Sequence, residues 1–130
     1  MTLYTVQVHG QVNCPAQADY LPCNCADLGD GTIWLDCGNA QLGDYRVSQM
    51  LKLFINRPDI SPLSGVYLAY NKLTRIPDEI SQLNQLHTVY LHGNDLYAIQ
   101  STAFNFSPTL KVLYLGSNSL DNIEPGAFSG

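Results

Sequence analysis

The chain has 130 residues, a formal net charge of -5 and a charged-residue content of 13%. Soluble domains average about 25% charged residues, and an acidic disordered tail would have far less apolar sequence than the 45% present. The six Lys and Arg residues are scattered, so nucleic acid is not an expected partner. Because no apolar run approaches the ~20 residues of a membrane span, we expect one globular domain or part of one.

All four cysteines lie near the start of the chain, at Cys14, Cys23, Cys25 and Cys37. An even number in a short segment favours disulfides and an oxidising compartment, and the sequence alone leaves three pairings open. Zinc is the alternative because Cys23 and Cys25 are close together. Zinc ligand pairs, however, more often have a spacer of roughly two to four residues. We therefore expect disulfides, with no bound metal and no other cofactor.

A helical pattern follows the cysteines. Four apolar residues have the i, i+3, i+4, i+7 spacing of an amphipathic helix, namely Val47, Met50, Leu51 and Phe54. Asp44 is the expected N-cap and Arg57-Pro58 ends the pattern. The sequence thus predicts one helix over about 44–56.

The rest of the chain repeats one pattern three times. Segments reading VYLAYNKL, VYLHGNDL and LYLGSNSL align on an asparagine column, Asn71, Asn94 and Asn118, with spacings of 23 and 24 residues. Alternation within each segment predicts a short strand, whose apolar face is buried only when successive strands stack. The asparagine is expected where the chain leaves the strand, because an amide can donate to and accept from the backbone of adjacent turns.

This spacing resembles that of leucine-rich repeat proteins, and the cysteine segment resembles the N-terminal cap of their extracellular members. The resemblance implies an α/β solenoid with a parallel concave sheet, an N-terminal disulfide cap and an irregular or helical convex side. It also implies the disulfides Cys14 with Cys25 and Cys23 with Cys37. The long span from cap to first repeat is similar to secreted arthropod members, a group that includes the non-catalytic subunit of a shrimp luciferase complex.

The expected organisation has three parts. An N-terminal extension covers 1–13 and has no signal-peptide pattern. A cap with the first strand and the convex helix covers 14–62. Three repeats follow at 63–85, 86–109 and 110–130. Because no C-terminal cap is visible after the third repeat, we expect the chain to be truncated there. Its open edge is expected to self-associate or to meet another subunit.

The outward positions of the predicted strands form columns on the concave face. Adjacent strands lie about 4.8 Å apart, so aromatic side chains in one column can stack. Tyr and Trp are over-represented in binding hot spots, but cross-strand aromatic pairs also stabilise sheets, and both interpretations stay open. The positions predicted to contact a protein partner are Trp34, Asp36, Tyr67, Tyr70, Thr88, Tyr90, His92 and Tyr114.

No motif in the sequence predicts catalysis. Asp36 lies two predicted strands from His92, and neither a Gly-x-Ser-x-Gly elbow nor a His-x-x-x-His pair is present. We expect His92 to be a surface histidine without partners. The one glycosylation sequon starts at Asn105, and Pro108 follows it, which makes it a weak site.

Taken together, these patterns predict a secreted, non-enzymatic binding module that recognises a protein through its concave face. The alternative is a non-catalytic accessory subunit of a secreted enzyme complex.

Overall fold

The computed structural model describes residues 14–104 and 109–128, so the N-terminal extension and the Asn105 sequon lie outside the described residues. One α-helix, α1 (Asp44–Lys52), and two short 3-10 helices, Gln17–Asp19 and Asp78–Gln82, form within this part. Its strands are β1 (Asn24–Asp27), β2 (Ile33–Asp36), β3 (Leu63–Tyr67), β4 (Thr88–Tyr90), β5 (Ala98–Ile99), β6 (Val112–Tyr114) and β7 (Asn122–Ile123).

Five of the strands form one sheet in the order β1-β2-β3-β4-β6. The edge strand β1 is antiparallel to β2, and every other neighbouring pair is parallel. The short strands β5 and β7 pair with each other in a second parallel sheet. Parallel strands contributed by successive units of the chain are the solenoid arrangement, so the predicted leucine-rich repeat solenoid is confirmed.

The core lies behind the large sheet and runs from the cap into the repeats. The inward residues Leu35, Val66 and Val89 are fully buried, because alternate side chains of a strand point to opposite faces. The return segments add Ile80 and Ile99, which are also fully buried. Burying one such side chain contributes about 1.5–3 kcal/mol, and stacking lets each unit share its core with the next.

The asparagine column joins neighbouring units through backbone hydrogen bonds. Asn94 Oδ1 accepts from Leu73 N at 3.0 Å, and Asn94 Nδ2 donates to Leu68 O at 2.9 Å and Leu91 O at 3.0 Å. Asn71 and Asn118 make the equivalent bonds one unit to either side. Leu68 O and Leu91 O therefore each accept from two asparagines, so the column is continuous.

Two disulfides close the cap, Cys14–Cys25 and Cys23–Cys37. Cys23 and Cys37 are buried in the core at the end of the sheet. The carbonyl of Cys37 accepts from Asn71 Nδ2 at 2.8 Å. The cap thus covers the first core layer and is tied to the first repeat by the same asparagine column.

The convex helix is shorter than predicted and begins differently. It ends at Lys52 rather than near residue 56, because the next turn tightens: Leu53 N bonds Met50 O and Phe54 N bonds Leu51 O. Phe54 still reaches the core.

The prediction that Asp44 caps the helix is wrong. Gly43 is the N-cap. The Asp44 carboxylate instead accepts from Thr74 N at 3.0 Å and from Thr74 Oγ1. It faces the neighbouring return segment, so it satisfies that backbone and fastens the cap helix to the first repeat.

Candidate functional site

The concave side of the sheet carries two aligned columns of side chains. The register pairs Asp36 with Tyr67, Tyr67 with Tyr90, and Tyr90 with Tyr114. The neighbouring column is Trp34, Gly65, Thr88 and Val112. Asp36 is the single charged residue on β2, β3, β4 and β6. Aromatic rings therefore dominate the chemistry of this surface.

Tyr90 is the centre of the ring contacts. Its ring stacks on Tyr114 with a centroid distance of 4.7 Å and an angle of 5°. On the other side it lies 5.1 Å from Tyr67, tilted by 46°. Trp34 reaches Tyr90 at 5.9 Å across the column. The predicted stacking is regular between β4 and β6 and becomes tilted toward the cap.

His92 lies among four tyrosine rings rather than alone on the surface. Its ring meets Tyr70 at 5.1 Å, Tyr67 at 5.8 Å, Tyr90 at 6.0 Å and Tyr114 at 6.2 Å, and every contact is close to perpendicular. The contacts of this histidine are therefore aromatic ring contacts, which the sequence did not indicate. The residues before and after it in the same outward column are small, Ala69 in the first repeat and Gly116 in the third, so the rings around His92 come from Tyr70 and the tyrosine column.

The imidazole has one unsatisfied nitrogen. His92 Nδ1 is buried and has no hydrogen-bond partner among the described residues. A buried polar atom normally has a hydrogen-bond partner. The position of this ring is set instead by its perpendicular contacts with the tyrosine rings. The six side chains Trp34, Tyr67, Tyr70, Tyr90, His92 and Tyr114 are called the aromatic cluster below.

Three rings of the aromatic cluster pack directly on the backbone of glycines. A Cβ on Gly65 would lie 2.7 Å from Trp34 Cδ1, and one on Gly38 would lie 2.7 Å from Tyr67 Cδ1. A Cβ on Gly93, whose φ is +72°, would lie 2.6 Å from Tyr70 Cε1.

Each ring therefore lies directly on a neighbouring backbone that has no side chain. Gly65 also explains why Trp34 can cross β3 and reach Tyr90. Glycine at an outward strand position beside an aromatic residue is the sequence signal for this packing.

The cap end of the cluster is negatively charged. Asp36 is exposed, and its Oδ1 accepts from Gly38 N at 3.1 Å. In the turn before β2, at the other end of that strand, hydrogen bonds from Thr32 hold the pKa of the Asp30 carboxyl below its ordinary value. Thr32 Oγ1 also bonds Ser64 Oγ at 2.8 Å, which fixes this corner to β3.

Elsewhere the described surface has several cavities. One of about 550 Å³ lies between two return segments, lined by Phe54, Arg57, Gln82 and Asn84 among others. Arg57 is already paired with Asp59 at 2.8 Å, and this contact lowers the pKa of Asp59 to about 2.

A cluster of three His, Cys, Asp or Glu side chains suited to a metal is absent from residues 14–104 and 109–128. In the same residues no helix has the length and hydropathy to cross a membrane.

Comparison with known proteins places the chain among repeat proteins. A family model described as leucine rich repeat matches residues 84–130. The chain is similar to Tsukushi from Mus musculus, with 31% identity over 111 residues, covering 82% of this chain and 31% of that protein. It is also similar to fibromodulin from Oryctolagus cuniculus, with 43% identity over 56 residues, covering 42% of this chain and 36% of that protein.

A solved structure shares the fold. Human 5T4 (Wnt-activated inhibitory factor 1, trophoblast glycoprotein) matches with a TM-score of 0.61 and 24% identity, over 90% of this chain and 38% of that chain. The chain thus spans about a third of the length of the relatives it matches. The repeated strand pattern, the parallel sheet and the two paired cysteine bridges identify the chain as a leucine-rich repeat protein with an N-terminal disulfide cap.

Proposed function

We propose that this chain is a secreted, non-enzymatic binding module that recognises a protein partner through its concave face. The observation that carries the proposal is the aromatic cluster on an otherwise almost uncharged sheet. Tyr70 is 55% exposed and Tyr114 is 49% exposed, so large rings are presented to solvent rather than covered. Exposed aromatic rings with a polar end are the side chains most often found as interface hot spots.

The cluster is held in place before any partner arrives. Tyr90 and Tyr114 stack on each other, and Tyr70 rests on Gly93. Binding then costs little side-chain entropy, because the rings are already confined to one arrangement. Pre-organisation of this kind favours recognition of a protein surface with complementary shape.

Sheet stabilisation by the tyrosines is the competing role, and the two roles predict different mutants. Tyr67 and Tyr90 are half-buried, so replacing them by alanine is expected to lower stability as well as binding. Tyr70 and Tyr114 are exposed, so replacing them should weaken binding while the free energy of unfolding changes by less than about 1 kcal/mol.

The experiment compares partner capture from the source extracellular fluid with matched variants. The Tyr70→Ala/Tyr114→Ala variant alters the cluster, and the Tyr45→Ala variant alters a tyrosine on α1 that is 78% exposed. We expect a protein recovered by the native chain and by Tyr45→Ala to be lost with the double variant. Equal recovery by all three chains would refute binding through the concave face.

The accessory-subunit role is the second candidate and uses the same surface. It is motivated by a resemblance noted in the sequence alone, between the long cap-to-repeat span and secreted arthropod proteins. In that case the captured protein would be an enzyme whose activity persists without this chain but whose thermal stability falls. A captured receptor or matrix protein would favour the general binding module.

A further inference from the structure

The net charge is distributed unevenly along the chain. Residues 14–45 contain five aspartates and no Lys, Arg or His. Residues 46–130 contain six acidic residues and six Lys or Arg residues, and residues 1–13 contain no Asp, Glu, Lys or Arg. Residues 46–62, the rest of the cap, add three basic residues and one aspartate, so the cap as a whole carries a formal charge of -3. Its negative part, residues 14–45, includes the strands at one end of the concave sheet.

Asp36 brings this charge onto the aromatic cluster. It follows Trp34 by two residues, so both side chains lie on the same face of β2. A Cβ on Gly38 would lie 2.7 Å from Tyr67 Cδ1 and 3.5 Å from Asp36 Oδ1. The carboxylate and the tyrosine ring therefore both lie beside Gly38, and Asp36 is exposed there.

This carboxylate has no counter-charge within the described residues. The ion pairs found there are Arg57 with Asp59 and Arg75 with Asp78, neither of which involves Asp36. Lys111 precedes β6, which is three strand spacings from β2, so it is more than about 14 Å away. An exposed, unneutralised carboxylate beside aromatic rings is attractive to a cation and unfavourable for an anionic surface.

We infer that Trp34, Asp36 and Tyr67 form a binding site for a basic side chain of the protein partner, and that arginine fits this site best. A guanidinium group can stack on an aromatic ring while its N–H groups donate to a carboxylate. Lysine supplies the charge but not the planar stack. The inference rests on the proposed concave-face binding and adds the chemistry of the partner's anchor residue.

The test uses short peptides and the single tryptophan of the chain. Trp34 is the one tryptophan present, so its fluorescence and its indole N–H resonance detect binding at this site. The probes are Gly-Gly-Arg-Gly-Gly, the same peptide with lysine, and the same peptide with citrulline, which keeps the shape of arginine without its charge. The protein is the whole chain, with Asp36→Asn as the test variant and Asp121→Asn as the matched control.

Asp36→Asn keeps an acceptor for Gly38 N, so the local turn is retained. We expect saturable changes at Trp34 with the arginine peptide, weaker ones with lysine and none with citrulline. Asp36→Asn should weaken arginine binding roughly twofold to fivefold, the range for one exposed ion pair, whereas Asp121→Asn should leave it unchanged.

When the peptides bind, two results would overturn the inference. One is equal binding of the arginine and citrulline peptides. The other is an equal loss with Asp36→Asn and Asp121→Asn, which would mean that net charge alone attracts the peptide. If the peptides do not bind while partner capture still depends on Tyr70 and Tyr114, the basic anchor is refuted and the proposed function stands.

Discussion

Replacing Asn94 by alanine is expected to destabilise the chain far more than its size suggests. Asn94 is 5% exposed, and its side chain bonds Leu73 N, Leu68 O and Leu91 O. The two carbonyls keep a second asparagine donor, from Asn71 and Asn118 respectively. Leu73 N loses the acceptor that Asn94 Oδ1 provides, so it becomes the orphaned group.

The magnitude follows from these three groups. An orphaned buried N–H costs about 1–3 kcal/mol, and each of the two other lost bonds costs about 0.5–1.5 kcal/mol. The expected loss is therefore roughly 2–6 kcal/mol, a large part of the ~5–15 kcal/mol that stabilises a typical domain. Urea unfolding followed by circular dichroism measures it, and hydrogen exchange at Leu73 N locates it.

Asn118→Ala is the matched control for this prediction. Asn118 makes the same set of bonds, but it is half-buried, so water can replace its amide at Leu96 N. We expect it to cost at least about 1 kcal/mol less than Asn94→Ala, because a group that water can reach is not left unsatisfied. Equal losses for the two variants, or a loss below about 1 kcal/mol for Asn94→Ala, would refute the hydrogen-bond argument.

Three further predictions concern other contacts. Gly65→Ala should displace the Trp34 ring, shift its fluorescence to longer wavelength and lower the stability by about 1–3 kcal/mol, as overpacking does. The control is Gly116→Ala, whose Cβ would meet nothing within 4 Å and which should change neither quantity. No effect of Gly65→Ala would disprove the packing of Trp34 on Gly65. Ser48→Ala removes the hydroxyl that donates to Oε2 of the buried Glu79 at 2.7 Å, and it should lower the free energy of unfolding in urea by about 1.5–3 kcal/mol. The control Ser81→Ala removes a bond to the exposed Asp78 carbonyl and should have little effect. Because Arg57 lowers the pKa of Asp59 from 3.8 to about 2, the pair's stabilisation should be complete above about pH 5 and be lost progressively as the pH falls to about 1. A carboxyl-carbon titration of Asp59 with a midpoint near 3.8 would contradict this.

The fold was accessible from the sequence because its signals are periodic. The strand alternation and the asparagine column recur at spacings of 23 and 24 residues, and one short-range pattern read three times specifies a stacked sheet. The outward columns follow from the same register. What each outward residue touches is a different question, because it depends on which neighbouring positions lack a side chain.

His92 and Asp44 show where the sequence was insufficient. His92 is surrounded by tyrosine rings, and three of them, Tyr67, Tyr70 and Tyr114, come from other repeats. Asp44 bonds Thr74, which is 30 residues away, instead of capping its own helix. Both outcomes are tertiary contacts that override a local preference.

If the concave face binds a protein, amide hydrogen exchange of the complex will show which surface the partner covers. With the partner recovered by the capture experiment, we expect slower exchange in β2, β3, β4 and β6 and at Tyr70, with α1 unchanged. Slower exchange confined to α1 and the segment around Asp78–Gln82, on the convex side, would contradict it.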